Sequence, residues 1–274
     1  MPQTNRHHPR PLSYAAGSVF DLRVHPQALS DQDLETLTFF GVERVLLVAD
    51  ATIHPATPTA IFEHFEHLLS VELPRFERHG LRARVALGVH PLVVPRRGLS
   101  QVLETLPAFL REGKVAALGL LGLARGGAPE EEALLAQLEL AQTLSLPALI
   151  TTPVRDREAM TRRLLRLLTE APLDRRRVFI DGATSKTVRT IHGLGFFTGL
   201  TLHPEHLSAE RAVALVRSMG VERLVLDTGI GDGAADLLAL PRAARLLTRA
   251  GLSRRVVERV TSTNAAAFLA GESP

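Results

Sequence analysis

Val19-Phe20-Asp21-Leu22-Arg23-Val24-His25-Pro26 reads as a short buried strand. Alternate side chains of a strand share a face, so Asp21, Arg23 and His25 are expected to point one way. Three ionisable groups on one face of an apolar strand need an outlet. Either they stand at the open end of a barrel or cleft, or they neutralise one another.

Outward from this strand the same unit recurs. Ser30 caps a helix running to about Phe40, with Asp33 strengthening its start, and a strand follows at Val45–Val48, ending in Ala49-Asp50. A helix over Thr59–His79 carries Ile61, Phe62, Phe65, Leu68, Leu69 and Leu73 at helical spacing and stops at Gly80. Strand three spans Arg84–Gly88 and leads into Val89-His90-Pro91; a helix near Ser100–Leu110 precedes strand four, Val115–Gly119. Pro129 and the acidic run Glu130–Glu132 open a helix to Leu144, placing negative charge at the positive end of its dipole. The strands Pro147–Ile150, Val178–Ile180, Phe196–Thr201 and Leu224–Leu226 follow. They alternate with helices over Arg155–Glu170, Ser185–Leu194, Ser208–Met219 and Leu237–Ala250, and Ser253–Leu269 closes the chain.

Eight strand–helix units with no linker-like shift in composition predict a single (β/α)8 TIM barrel over residues 18–270, an α/β fold. An open doubly wound sheet is the alternative, and it usually has fewer strands. Residues 1–17 are polar and proline-bearing and read as a flexible tail rather than a secretory signal.

Composition narrows the function classes. The 274 residues carry 32 basic and 29 acidic side chains, a net charge of +3. The pI near 10.1 overstates the basicity, because with two lysines, one tyrosine and no cysteine little titrates just above neutrality. The basic residues are scattered, so charge gives no sign of a nucleic-acid surface. Absence of cysteine excludes disulfides, thiolate metal sites and cysteine nucleophiles. No apolar run approaches a membrane span. A cytoplasmic protein is expected.

In a barrel, chemistry sits at the C-terminal ends of the strands. Those ends are Arg23 and His25, Asp50, His90, Leu120, Thr151, Asp181 with Gly182, Thr201 with His203, and Asp227 with Thr228 and Gly229. Together with Val85–Pro91, Val115–Leu123, Ala136–Ala141, Pro153, Ile180-Asp181, Gly199–Thr201 and Asn264–Ala266, they give the chain a family likeness. It resembles the TatD-related metal-dependent hydrolases of the amidohydrolase group, in particular their archaeal-type branch, in order over about residues 18–270.

The resemblance implies a metallo-dependent hydrolase barrel with one or two divalent ions. These would be held by a His-x-His pair after strand one, a Glu after strand four, single His residues after strands five and six, and an Asp after strand eight. Here those positions carry Arg23 and His25, Leu120, Thr151, Gly182 and Gly229, so one of six is kept. A catalytic zinc takes three protein ligands and a water, and without the ion no hydroxide forms near neutral pH. The resemblance therefore implies a TatD-like pseudoenzyme without cofactor, acting through a protein partner or a small anionic ligand. The other reading is an active metal-dependent hydrolase of phosphodiester (DNase) or amide bonds with a rearranged site.

Three arrangements of the strand-end residues follow. Arg23 is paired by Asp21, Asp181 and Asp227 as a structural plug, or Arg23, His25 and His90 form a phosphate or carboxylate pocket. Alternatively, His25, His90, Asp181 and Asp227 rebuild a site for zinc, manganese or magnesium. Thr151 and His203 complete the candidate ligand-binding set. His64 and His67 read as a solvated helix face. Asp227-Thr228-Gly229 spells an aspartic-protease triplet without the second loop that chemistry needs. Gly229–Gly233 is a glycine-rich turn at a place where barrels bind phosphate, with Asp232 opposing an anion.

Overall fold

The computed structural model describes residues 18–271 except Asp50, Thr52 and Val154. The expected tail, residues 1–17, and the strand-end Asp50 therefore lie outside the described residues. Eight parallel strands stand in sequence order: β1 (Val19–Val24), β2 (Val42–Val48), β3 (Arg82–Leu87), β4 (Val115–Gly122), β5 (Ala148–Thr151), β6 (Val178–Asp181), β7 (Phe197–Thr201) and β8 (Leu224–Asp227). The sheet closes through a single bridge, Val24 to Ile230, beside the His25 N–H donating to the Ile230 carbonyl at 2.8 Å. This is the expected (β/α)8 barrel, nearly closed, with the seam at β1.

Period-two alternation sorts the apolar residues into two layers. One set packs between the strands and the surrounding helices and includes Val45, Leu47, Val85, Leu87, Leu118, Leu121 and Ile150. The other fills the barrel: Phe20, Leu22, Leu46, Val48, Ala86, Ala117, Leu120, Leu149, Phe179, Phe197 and Val225. The terminal helix Asn264–Ala270 covers the N-terminal end of the barrel, where Phe268 meets Phe179 and Phe197 at ring distances of 5.4 and 5.6 Å. Asn264 fastens that helix, its amide donating to the carbonyls of Val221 and Leu224 at 2.6 and 2.7 Å.

Where the elements depart from expectation, a local cause is visible. The helix expected to run unbroken over Thr59–His79 is Pro58–His67, one wide turn over Leu68–Glu72, then Leu73–Arg78. Pro74 has no N–H to bond back to Ser70, and the wide turn absorbs the missing bond. The last helix widens likewise over Arg259–Thr263. β2 and β3 start two to three residues early because polar rim residues, Glu43 and Arg44 on one and Arg82 on the other, join the ladder. β1 is not a regular alternation. Between Asp21 and Val24 it advances three residues while β2 advances from Val45 to Leu47, so β1 carries a bulge centred on Leu22 and Arg23.

Candidate functional site

The bulge brings Arg23 into the barrel mouth, where it is 8% exposed. Its guanidinium is spent on its neighbours. Nη1 donates to Asp181 Oδ2 and Nη2 to Asp232 Oδ2, each at 2.9 Å, and Nε donates to His25 Nε2 at 3.3 Å. Burial disfavours the charged form, but Asp181, Asp232 and Asp227 outweigh it and hold the Arg23 pKa above its ordinary value. Asp181 is fully buried. Burial would raise its pKa, yet Arg23 and the Thr201 hydroxyl, which donates to Oδ1, keep it below the usual carboxylate range. Its Oδ1 also accepts the Gly182 N–H at 2.6 Å.

The other two carboxyls behave differently. Burial raises Asp21 to about 6, against the pull of hydrogen bonds from the Thr228 side chain and from the backbone N–H groups of Arg23 and Thr228. Asp227 is fully buried, and both its oxygens lack a hydrogen-bond partner. Burial first, then the charges of Asp181 and Asp21, push its pKa well above the ordinary carboxylate range.

His25 is driven well below its ordinary value by burial, then by Arg23, His90 and His203, which places all four groups around one space. His203 Nδ1 accepts the Glu205 N–H at 3.2 Å, so its Nε2 carries the proton donated to the Asp232 carbonyl at 3.1 Å. His90 Nδ1 accepts the Leu92 N–H at 3.2 Å.

Of the expected neutralising trio, only Asp181 pairs with the Arg23 guanidinium. Asp21 receives its backbone N–H, Asp227 makes no hydrogen bond to the guanidinium, and the second anion is Asp232 from the glycine-rich turn. Asp232 read as an obstacle to anion binding; the glycines around it let it fold back onto Arg23. Thr151 lies half-buried in register with Asp181, and the side chain that acts on that side is Thr152, whose hydroxyl donates to the Gly182 carbonyl at 2.9 Å. His206, half-buried, stands on the same side with its ring against Gly182. Burial, with Arg157 beside it, lowers it to about 4 despite the pull of Asp181.

The positions at which the resemblance expects metal ligands are filled by other atoms. A Cβ at Gly229 would lie 3.3 Å from the Arg23 guanidinium carbon, and one at Gly182 would lie 2.5 Å from Thr152 Oγ1 and 3.2 Å from the His206 ring. Both glycines have positive φ, +69° and +71°, where a larger residue is strained. Leu120 is fully buried in the barrel interior. Among the described residues no three His, Asp or Glu side chains are placed to share a metal ion. The donor set therefore does not fit the group: Asp181 and His25 are committed to Arg23, whose guanidinium adds a fixed positive charge among them.

The TatD related DNase family model matches residues 20–269. The chain is 28% identical, over 91% of its length and 99% of the relative's, to an uncharacterized metal-dependent hydrolase of Methanocaldococcus jannaschii. Among solved structures it resembles a TatD-like protein from Archaeoglobus fulgidus, with TM-score 0.77 and 26% identity over 92% of this chain and 99% of that one. The phosphotriesterase homology protein of Escherichia coli shares the fold, with TM-score 0.69 and 15% identity over 93% and 100%. With its barrel and its match along nearly the whole length, the chain belongs to the TatD related DNase family.

Proposed function

We propose that this chain is a TatD-family barrel that has given up metal-dependent hydrolysis and works by binding. One observation carries the reading. Arg23 is tied to Asp181, Asp232 and His25, and it fills the space above Gly229. A divalent ion entering there would have to break the buried Arg23–Asp181 pair and the half-exposed Arg23–Asp232 pair and sit against a fixed positive charge, at a cost of several kcal/mol. The same contacts argue against the anion pocket, because the Arg23 charge is already neutralised by two carboxylates and His25 is neutral. No described helix is long and apolar enough to cross a membrane. A cytoplasmic location belongs to this proposal.

An active hydrolase of phosphodiester or amide bonds has one observation on its side. Asp227 is a buried carboxyl with two unpartnered oxygens beside His-bearing strand ends, and a zinc, manganese or magnesium ion would satisfy it. Its partners in the rebuilt set, His25 and Asp181, are the ones taken by Arg23. Metal titration separates the readings. Chelator-stripped protein is given manganese, zinc or magnesium while the melting temperature is followed and a generic phosphodiester and DNA are offered. The proposal expects no metal-dependent rise in melting temperature and no turnover. Stabilisation with turnover that is lost in His25→Ala or His90→Ala would overturn it.

A further inference from the structure

The opposite end of the barrel carries an open cleft of about 640 Å³, lined by the starts of β2 to β5 and by the terminal helix. Four arginines face it: Arg44, Arg82, Arg84 and Arg177. Arg44 on β2 and Arg82 on β3 are direct cross-strand partners, a like-charge pairing that weakens a sheet unless something offsets it. Arg84 follows on the same face of β3.

Their partners leave most of the charge unanswered. Arg82 pairs with Glu43 at 2.7 Å on the exposed rim. Arg84 donates to the Gly113 carbonyl at 2.9 Å and Arg177 to the Ser145 carbonyl at 2.6 Å, both neutral acceptors. Arg44 lies over the Phe20 ring at 4.8 Å and donates to Ser262 Oγ at 2.7 Å, but its buried Nε has no acceptor. Among the described residues, therefore, four guanidiniums share one carboxylate. Burial and the neighbouring Arg82 lower the Arg44 pKa, as expected of a cation lacking a counter-charge.

We propose that this pole holds a small organic phosphate, with the phosphate between Arg44, Arg82 and Arg84 and the carbon skeleton against Leu146 and Leu269. The guanidinium fork matches phosphate oxygens in pairs. The cleft is of the size small-molecule sites have, roughly 300–1,000 Å³. An apolar wall beside the charged rim favours an ester over the bare ion. The site is remote from the mouth and does not depend on whether the mouth is catalytic.

Calorimetric titration of the full chain with phenyl phosphate, and with inorganic phosphate alongside, tests this. Saturable one-to-one binding of phenyl phosphate is expected, tighter than inorganic phosphate. It should weaken about tenfold or more in Arg82→Gln/Arg84→Gln, which removes two charged hydrogen-bond donors. Arg96→Gln/Arg97→Gln removes the same charge from an exposed loop elsewhere and should bind as the unaltered chain does. Circular dichroism of both double variants confirms that they fold. Absence of saturable binding, or equal weakening in the two double variants, would overturn the site. Equal affinity for phosphate and phenyl phosphate would overturn the organic ligand.

Discussion

The two ends of this barrel treat charge in opposite ways. At the mouth, Arg23 is surrounded by Asp181, Asp232 and His25, and the cluster is compensated and filled, with Asp232 closing it from the exposed rim. At the other pole, Arg44, Arg82, Arg84 and Arg177 stand round a hollow with one glutamate paired to them among the described residues. A family likeness directs attention to the mouth, because that is where the strand ends are. Unanswered charge is a different signal, and here it lies at the far end. A compensated site is finished; an uncompensated one asks for a ligand.

The sharpest way to break this contrast is to remove the cation at the mouth. Arg23→Ala leaves Asp181 buried without its cationic partner and opens a gap over Gly229. Loss of one member of a buried pair costs about 3–5 kcal/mol. Urea unfolding at pH 7 reads it directly. A loss under about 1 kcal/mol would mean that the ion pairs are not what holds the mouth together.

Titration gives the next largest effect, with opposite signs for two groups. Asp21, raised to about 6, is protonated in the folded chain while the unfolded chain has already ionised, so stability falls between about pH 4 and 6. His206, lowered to about 4, stays neutral while the unfolded chain protonates, so stability rises between about pH 4 and 6.5. Each amounts to about 3 kcal/mol at about 1.4 kcal/mol per pH unit, and the two nearly cancel. His206→Gln should uncover the fall and Asp21→Asn the rise. Parallel slopes in both variants and the unaltered chain would show that neither group titrates as its surroundings imply.

Gly229→Ala tests whether the glycine and the arginine fit each other. The positive φ and the 3.3 Å approach to Arg23 together should cost about 1–2 kcal/mol. In an Arg23→Ala background the steric part disappears, so the two substitutions should fall short of additivity by about 0.5 kcal/mol or more. Strict additivity would place the whole cost in the backbone.

The fold was legible because barrel strands repeat a simple physical rule. Each buries both faces, each ends in a turn, and each is followed by an amphipathic helix. The lack of side-chain donors at the positions where the family resemblance expects ligands was equally readable, since leucine at 120 and glycine at 182 and 229 offer none. What replaced them was harder to read. Asp232 reaches Arg23 through a loop whose course no periodicity fixes, and the bulge that swings Arg23 inward has no marker in Leu22-Arg23. Thr152 rather than Thr151 acts beside Gly182 because β5 ends one residue later than the apolar run Pro147–Ile150 suggests. The basic pole was invisible for another reason. Arg44, Arg82 and Arg84 are scattered along the chain, and cross-strand register alone makes them neighbours.

The smallest expected effect is the one that most directly separates the two ends. Arg82→Gln/Arg84→Gln removes as many as two full charges from the barrel rim, against one in Arg23→Ala. Yet both side chains are exposed, and Arg82 directly opposes Arg44, so their loss takes away repulsion together with one rim ion pair. Surface ion pairs contribute about 0–1 kcal/mol, and relief of a cross-strand repulsion is of similar size. The unfolding free energy should therefore stay within about 0.5 kcal/mol of the unaltered chain. At low salt, where screening is weakest, the balance should shift toward stabilisation. A loss beyond about 1 kcal/mol in phosphate-free buffer would show that these arginines brace the sheet. The two ends would then be alike, each holding its charges for the sake of the fold.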